Sequence, residues 1–358
     1  MDIKTLDGLL RAGVTHGVSD MHFRPGAPPL FRLNGTMTPV KFDRLLPSHT
    51  AAIAGHFLAA LGDTVDLKGI QEYDTSYSIP GVARFRINIY RQRGSLAIVA
   101  RVIPTEIPTV ESLGLPAVLN AIGQEERGLV LVTGATGSGK STTLAAIINL
   151  INGTRPCHIL TIEDPIEFLH PNRKATVSQR EIGPDTKNYV IGLRAALRQD
   201  PDVILVGEMR DAESTDIALK AAETGHLVFS TVHTTDAAKT IGRIMSLFPA
   251  DEQLFVRNRL ADNLKATISQ RLIPRVGGKG RVVAMEVMIA TQTVQEYIRD
   301  VDRTEGLKDV IEKGRQQYGM QSFDQHLTDL YKAGAITLQT AIHAATNPSD
   351  FERALNFE

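Results

Sequence analysis

The sequence has a single cysteine, Cys157, among its 358 residues. One cysteine excludes an internal disulfide and any zinc site built from four cysteines. No run of apolar residues is long enough to span a bilayer, and the first residues, MDIKTLDGLL, lack the basic start and apolar core of a secretory signal. The formal net charge of -1 gives no reason to expect nucleic-acid binding. We therefore expect a cytoplasmic protein without zinc.

The most informative stretch that is present runs from Gly128 to Thr143, GLVLVTGATGSGKSTT. Its apolar run, residues 129–132, predicts a strand of a parallel sheet buried on both faces. The pattern G-x-x-x-x-G-K-[ST] follows, and then a helix-forming segment, which is the context that a phosphate-binding loop requires. The predicted nucleotide-binding residues are Gly134, Ala135, Thr136, Gly137, Ser138, Gly139, Lys140, Ser141 and Thr142.

Each part of this loop has a chemical role. The glycines let the backbone curl so that N–H groups face phosphate oxygens, and the helix that follows adds its partial positive charge. Lys140 is expected to reach the β- and γ-phosphates, and the hydroxyl of Ser141 to bind Mg²⁺. The alternative is a glycine-rich turn that only joins a strand to a helix. The strand, the Lys-Ser pair and the helix together favour nucleoside triphosphate binding.

The rest of the chain predicts two domains. Residues 1–102 mix short strands with helices and predict a small α+β domain. Residues 103–112 contain two prolines and predict a linker. In residues 113–358 strands and helices alternate, which is typical of an α/β domain with a parallel sheet. A long helix is expected over residues 251–270.

The first domain contains a strand rich in arginine, residues 81–93. Alternation places Arg84 and Arg86 on one face and apolar residues on the other. Between Thr75 and Pro104 there are five arginines and no acidic residue. Two interpretations stay open: a solvated sheet face, or a surface that faces an anion.

Two acidic segments follow the phosphate loop. The apolar strand of residues 202–208 ends in Gly207-Glu208 and has the form of a Walker B element, so we expect Glu208 to face the phosphates from the neighbouring strand. The second segment, residues 160–167, holds Glu163, which is predicted to polarise the attacking water. The alternative for the second segment is a surface turn with helix-capping acids.

Two histidines, His226 and His233, flank the apolar segment of residues 227–232. The sequence offers no third and fourth ligand at useful spacing, so zinc binding is not expected. A γ-phosphate sensor is the preferred interpretation, because imidazole can hydrogen-bond to phosphate or to a catalytic carboxylate. For His226 a satisfied core histidine remains the alternative.

These elements, in this order, resemble the secretion and type IV pilus motor ATPases, and within them the PilT-like pilus retraction ATPases. The resemblance covers nearly the whole chain. GATGSGKSTT is similar to the family's Walker A, TIEDPIE to its Asp box, RQDPDVILVGEMRD to its Walker B and AAETGHLVFSTVHTT to its His box. GVARFRIN and SDMHFRPG are similar to its amino-terminal domain.

The resemblance implies a PAS-like amino-terminal domain joined to a RecA-like ATPase domain, in a homo-hexamer that hydrolyses ATP with Mg²⁺. It implies that arginines of the amino-terminal domain complete the ATP site, which makes Arg84, Arg86 and Arg101 candidates for the positive charge at that site. The predicted catalytic residues are Arg84, Arg101, Lys140, Glu163, Glu208 and His233. Arg210 and Arg271 are expected near the nucleotide, and Ser141 and Glu208 near the metal. The implied setting is the inner face of the bacterial inner membrane, with the pilus platform protein as partner and the pilin machinery engaged indirectly.

The family contains assembly, secretion and retraction motors. Assembly and secretion motors carry a tetracysteine zinc module and extra amino-terminal domains, for which this sequence has neither the cysteines nor the room, so retraction is preferred. One segment departs from the retraction pattern AIR-x-LIRE: the first arginine is replaced by Gln295. An accessory retraction paralogue and a protein- or DNA-translocating secretion ATPase are the alternatives.

Overall fold

The computed structural model describes residues 3–33, 35–59, 66–103, 106–278 and 280–357. The described chain divides into two compact units. The first runs to Glu106 and includes Glu167–Leu169; the second holds the remainder from Ile107 onward. Pro104 and Thr105, in the predicted linker, lie outside the described residues.

The first unit is a six-stranded antiparallel sheet with helices on one face, in the order β3-β2-β1-β6-β5-β4. Alternation along β5 sends Phe85, Ile87 and Ile89 into the core with the helices and leaves Arg84 and Arg86 on the opposite face. Its elements are α1 (Ile3–Thr15), β1 (Asp20–Phe23), β2 (Leu30–Leu33), β3 (Thr36–Pro39), α2 (Pro47–Ala59), β4 (Glu72–Ile79), β5 (Ala83–Gln92) and β6 (Ser95–Ile103).

The second unit is an α/β fold around a seven-stranded sheet, as the alternation of strands and helices predicts. Its first elements are α3 (Val118–Ile122), β7 (Gly128–Thr133), α4 (Lys140–Thr154), β8 (His158–Glu163), β9 (Thr176–Glu181), α5 (Tyr189–Ala196), β10 (Val203–Val206), α6 (Ala212–Glu223), β11 (Leu227–Val232) and α7 (Ala237–Met245). The later elements are α8 (Gln253–Asn263), β12 (Leu264–Pro274), β13 (Arg281–Ile289), α9 (Gln292–Arg299), a 3-10 turn (Thr304–Gly306), α10 (Leu307–Lys313), α11 (Arg315–Tyr318), α12 (Phe323–Lys332), α13 (Leu338–Ala344) and α14 (Pro348–Phe357).

Strand β7 lies inside this sheet and is fully buried. Leu129 and Leu131 enter the core layer with α6 and α7, whereas Val130 and Val132 enter the layer with α4. The strand order is β13-β12-β7-β11-β10-β8-β9, and all pairs are parallel except β12 with β13. Because the carboxyl ends of parallel strands meet at one edge, the segments after β7, β8, β10 and β11 share an edge.

Two expectations about this sheet are wrong. The segment 251–270 is not one helix, because α8 ends at Asn263 and the chain continues as β12, which pairs with β7. Thr267, Ile268 and Ile273 are β-branched and suit a strand, and a parallel partner is available there. Strand β10 is also not the neighbour of β7, since β11 lies between them. Strand order is a property of chain topology that no local pattern contains.

Candidate active site

The phosphate loop connects the end of β7 at Thr133 to the start of α4 at Lys140. Gly139 is the N-cap of α4, has φ of 90°, and makes no side-chain capping bond. The first N–H groups of the helix have no partner within the helix, so they remain donors for an anion. Gly134 is closely surrounded: a Cβ there would lie 2.5 Å from Ser138 Oγ and 2.6 Å from the carbonyl oxygen of Gln270. Neither glycine position suits a larger residue.

The loop residues differ in exposure. Gly134, Ser138 and Lys140 are buried, whereas Ala135, Thr136 and Gly137 form an exposed crest. Ser141 and Thr142 are half-buried in the first turn of α4. Lys140 is held by the loop itself, since its Nζ donates to the carbonyl oxygens of Gly134, at 2.9 Å, and Ala135, at 3.2 Å. The ammonium therefore lies inside the curl of the loop.

The two predicted carboxylates lie at the ends of adjacent strands. Glu163 is the last residue of β8, and β10 pairs with β8 so that Val206 is opposite Ile162. Gly207 continues this pairing, because its N–H donates to the carbonyl of Ile162 at 2.8 Å. Glu208 therefore follows the strand adjacent to the one that ends at Glu163. This edge brings the Asp-box and Walker B carboxylates to neighbouring strands.

The two carboxylates have different partners. Glu163 Oε1 accepts from the hydroxyl of Thr161 at 2.6 Å and from the amide of Gln179 at 3.2 Å. Glu208 forms an ion pair with Arg210, with Nε 2.7 Å from Oε2, and lies 3.4 Å from His233 Nε2. The contacts of Glu163 thus include a hydroxyl and an amide, and those of Glu208 include a guanidinium and an imidazole.

Tyr189, at the start of α5, is influenced by the charged groups at this edge. Burial is the main cause of its raised phenol pKa, and the carboxylates of Asp164, Glu208 and Glu163 raise that pKa further. Arg210 acts in the opposite direction. The phenol packs against Gly207, where a Cβ would lie 2.8 Å from the Tyr189 hydroxyl. Several negative charges therefore converge at the carboxyl edge of the sheet, which is an environment that attracts a cation.

Two residues predicted to bind nucleotide are placed elsewhere. His226 precedes β11, at the amino edge of the sheet, and its Nδ1 donates to the carbonyl oxygen of Ala221 at 2.9 Å. The length of β11, roughly 20 Å, separates it from the phosphate-loop edge. Within one chain His226 therefore lies away from the phosphate loop, and a phosphate-sensing role for it stays a prediction. The alternative of a satisfied structural histidine fits its contacts.

Arg271 is the second of the two residues that were predicted to bind nucleotide and lie elsewhere. It lies on β12 beyond the end of β7, and its guanidinium donates to the carbonyl of Ala344 at 2.7 Å and stacks over the ring of Phe323 at 3.9 Å. These contacts turn the side chain toward the carboxyl-terminal helices. The preceding residue, Gln270, contacts the phosphate loop instead, with its Nε2 2.6 Å from the carbonyl oxygen of Ser138. Sequence reasoning missed Gln270 because it placed this segment in a helix.

Arg84 and Arg101 belong to the first unit, on strands β5 and β6. Arg84 donates to Ser76 Oγ at 2.7 Å, and the Nε of Arg101 lies 2.7 Å from Oδ1 of Asp20. Burial opposes ionisation of Asp20, but the bonds from Arg101 and Ser19 and the charge of Arg101 hold the pKa of that carboxyl below its usual range. Arg101 is thus an exposed cation anchored by a buried carboxylate. Their role at the nucleotide stays a prediction.

No helix within the described ranges is both long enough and apolar enough to cross a membrane. Nor do the described residues contain a group of three or more His, Cys, Asp or Glu side chains arranged to hold a metal ion. Binding of Mg²⁺ does not require such a group of side chains, because proteins usually bind this ion through one or two carboxylates together with the phosphates of the substrate.

Comparison with known proteins identifies clear relatives. Residues 109–347 match the family model described as type II/IV secretion system protein. The chain is 45% identical to the type IV pilus retraction ATPase PilT of Pseudomonas aeruginosa, over 96% of this chain and 98% of that protein. It is 40% identical to the type IV pilus ATPase PilU of the same organism, over 96% of this chain and 89% of that protein. A crystal structure of the pilus retraction motor PilT with bound ADP superposes with a TM-score of 0.88 at 44% identity, covering 96% of this chain and 98% of that one.

Proposed function

The chain belongs to the type II/IV secretion system protein family, in its PilT-like branch of ATPases, and on that premise we propose that it is the motor that retracts a type IV pilus. Retraction by this motor would disassemble the fibre and produce twitching motility. The identity of 45% over nearly the full length of both chains supports this reading over a more distant secretion role. The energy source in this proposal is ATP hydrolysis.

The observation that carries the proposal is the phosphate loop with its surroundings. An uncapped helix start, a lysine enclosed by loop carbonyls and two carboxylates on adjacent strands all meet one edge of the parallel sheet. Such an edge is where ligands bind in open α/β sheets. In this proposal the N–H groups at the start of α4 bind phosphate oxygens, and Lys140 exchanges its carbonyl contacts for the β- and γ-phosphates.

The same edge suits Mg²⁺. Ser141 and Glu208 would hold the ion, since hydroxyl and carboxylate oxygens are ligands that Mg²⁺ prefers. The ion, when bound, supplies positive charge to the phosphate oxygens. The carboxylates that act on Tyr189 make the edge attractive to a cation before any nucleotide arrives. The donor set and its charge therefore fit this cofactor.

Glu163 is the proposed group that takes a proton from, and orients, the attacking water. Thr161 and Gln179 donate hydrogen bonds to this carboxylate and so help to orient it. Glu208 is contacted by the guanidinium of Arg210 and the imidazole of His233. We assign Glu208 to the metal and His233 to the link between this carboxylate and the γ-phosphate.

The proposal includes a ring of six copies, as the resemblance implies. In such a ring, Arg84 and Arg101 would supply positive charge to the transferring phosphoryl group. Closure of one domain over nucleotide would then move a neighbouring subunit, which converts hydrolysis into a stroke. The proposed partner is the platform protein of the pilus, reached from the cytoplasmic face of the inner membrane. The pilin machinery is moved indirectly through that platform.

An accessory retraction motor is the second candidate. Gln295 replaces the first arginine of the retraction pattern, and it lies half-buried on α9. The neighbouring Arg299 of this helix pairs with Asp262 of α8.

The decisive experiment is deletion of the gene followed by imaging of surface fibres and a motility assay. A principal retraction motor predicts cells that keep their fibres and lose twitching. Loss of the fibres would contradict retraction and indicate assembly. Fibres with residual retraction, abolished only when a second retraction ATPase is also deleted, would indicate the accessory role.

A further inference from the structure

Gln270 is a buried polar residue on β12, the strand that pairs with β7 on the side opposite β11. The pairing continues to the last residue of β7, where Ser269 is opposite Thr133. The side chains of these two residues also form a hydrogen bond of 3.0 Å. Gln270 therefore sits immediately beside the point where the phosphate loop leaves the sheet.

The amide of Gln270 holds one peptide group of that loop. Its Nε2 donates to the carbonyl oxygen of Ser138 at 2.6 Å. In a trans peptide the C=O and the next N–H point in opposite directions. Holding the Ser138 carbonyl toward β12 thus turns the N–H of Gly139 away from β12. This N–H belongs to the last loop residue before α4, where anion-binding donors of a phosphate loop lie.

The contacts between Gln270 and the phosphate loop leave both little freedom to move. A Cβ at Gly139 would lie 3.2 Å from Gln270 Nε2, and one at Gly134 would lie 2.6 Å from the Gln270 carbonyl oxygen. The loop therefore packs on Gln270 through both its side chain and its backbone. The amide orientation is also determined, because a reversed amide would place Oε1 against the Ser138 carbonyl, and two acceptors repel.

The polarity of Gln270 has an energetic cost that packing does not explain. Its Oε1 is buried without a hydrogen-bond partner among the described residues. A buried unpaired acceptor is unfavourable, and an apolar side chain of similar size would avoid this cost. The cost is consistent with a residue retained for its contact with the loop.

We propose that Gln270 is a positioning residue for nucleotide binding, which presets the Ser138–Gly139 peptide so that the Gly139 N–H is available to a phosphate of ATP. The inference rests on the proposed function, because it concerns the same nucleotide site. Gln270 acts through the loop and does not itself touch the reacting atoms. Its loss should weaken ground-state and transition-state binding alike, because the loop contacts phosphate throughout the reaction.

The test compares Gln270→Leu and Gln270→Glu with Thr267→Val. Thr267 is a suitable control because it is buried on the same strand and its hydroxyl has no partner in the described part of the chain. ATP affinity is measured by titration in the full-length protein with Mg²⁺, KM and kcat by steady-state hydrolysis, and the integrity of the apo protein by thermal unfolding. Gln270→Glu keeps the shape of the side chain and replaces the donor by an acceptor.

We expect Gln270→Leu to weaken ATP binding and to raise KM about tenfold or more, the effect of losing one aligned hydrogen bond to a charged group, with kcat at saturation within about twofold. Gln270→Glu should raise KM further, and Thr267→Val should match wild type. Wild-type ATP affinity in Gln270→Leu or in Gln270→Glu would overturn the inference, as would an equal loss in Thr267→Val. If Gln270→Leu does not fold, the ATP affinity and KM of Gln270→Glu decide the test. Failure of the wild-type protein to bind ATP would instead overturn the proposed function.

Discussion

Glu208 and His233 meet at the carboxyl edge of the central sheet, with His233 Nε2 3.4 Å from Glu208 Oε1. The two residues follow β10 and β11, which are adjacent parallel strands. A further bond ties these segments together, because the hydroxyl of Thr231 donates to the carbonyl of Gly207 at 2.7 Å. The segments that follow β10 and β11 are therefore joined by one side-chain contact and one hydrogen bond.

This geometry separates the two histidines experimentally. His233→Ala should reduce ATP turnover by about tenfold or more, since it removes a partner of a carboxylate in the proposed metal site. His226→Ala should change turnover less than about twofold, because His226 lies at the opposite edge of the sheet. Steady-state ATPase assays of both variants check this. A larger defect in His226→Ala than in His233→Ala would contradict the placement.

Lys140→Ala should abolish Mg²⁺-dependent ATP hydrolysis. Two carbonyl oxygens hold the buried ammonium inside the loop, so the substitution removes the positive charge that the proposal places at the phosphates. Phosphate release assays measure the effect, with the exposed Lys187→Ala as the matched control. Hydrolysis at the wild-type rate by Lys140→Ala would contradict a role of the phosphate loop in the reaction.

Glu163→Gln should leave ATP binding near normal and slow hydrolysis by about 10² or more, which is the usual cost of losing a general base. Glu208→Gln should instead weaken the dependence on Mg²⁺, because it removes a proposed ligand charge. Turnover measured across a Mg²⁺ titration distinguishes the two. If Glu208→Gln stops turnover at saturating Mg²⁺ while Glu163→Gln barely slows it, the two roles are reversed.

Arg84→Ala and Arg101→Ala should keep the fold and ATP affinity and reduce turnover steeply. Arg101 pairs with the buried Asp20, so Asp20→Asn should give a milder form of the Arg101 defect by releasing the guanidinium. Arg24→Ala, an exposed arginine of the same unit, is the control. Mixing arginine variants with Glu163→Gln subunits tests whether the arginine acts on its own chain or on a neighbour. Full activity in residues 110–358 alone would exclude a need for either arginine.

Glu286 on β13 predicts a pH dependence of stability. Its pKa is raised from an ordinary 4.5 to about 7, mainly by burial and also by the charge of Asp236, while the bond from the Ala237 N–H and the charges of Arg271 and Lys308 oppose the shift. The folded chain therefore binds more protons than the unfolded chain between these values. The contribution of Glu286 to stability is complete below pH 4.5 and is lost as the pH rises through 7.

The stability of Glu286→Gln should fall less than that of wild type as the pH rises, so the variant should be more stable than wild type above pH 7. Glutamine does not titrate, and its carbonyl can still accept the N–H of Ala237, which Glu286 now accepts at 2.8 Å. Denaturant unfolding from pH 5 to 8 measures the difference, with the exposed Glu305→Gln as control. Parallel pH profiles for wild type and Glu286→Gln would show that Glu286 titrates at an ordinary value.

Much of the nucleotide site was predictable because it is local in the sequence. The apolar run of β7, the glycines, Lys140 and the start of α4 are consecutive residues, so their spacing alone determines a strand, a curled loop and a helix. The alternation of strands and helices likewise predicts a sheet with helices, and the fold confirms it. Glu163 and Glu208 were predicted for the same reason, since Glu163 ends the apolar strand β8 and Glu208 follows the apolar strand β10 by two residues.

Tertiary structure decided what depends on strand order and direction. The insertion of β11 between β7 and β10, the strand that replaces the second half of the helix expected over residues 251–270, and the separation of His226 from His233 all follow from how distant segments pair. The same pairing placed Gln270 against Ser138 and turned Arg271 toward Phe323. The sequence by itself determined the phosphate loop and the alternating fold, because the responsible residues are neighbours in the chain. Only the folded sheet decided which distant side chains share an edge, because that depends on hydrogen bonds between strands far apart in sequence.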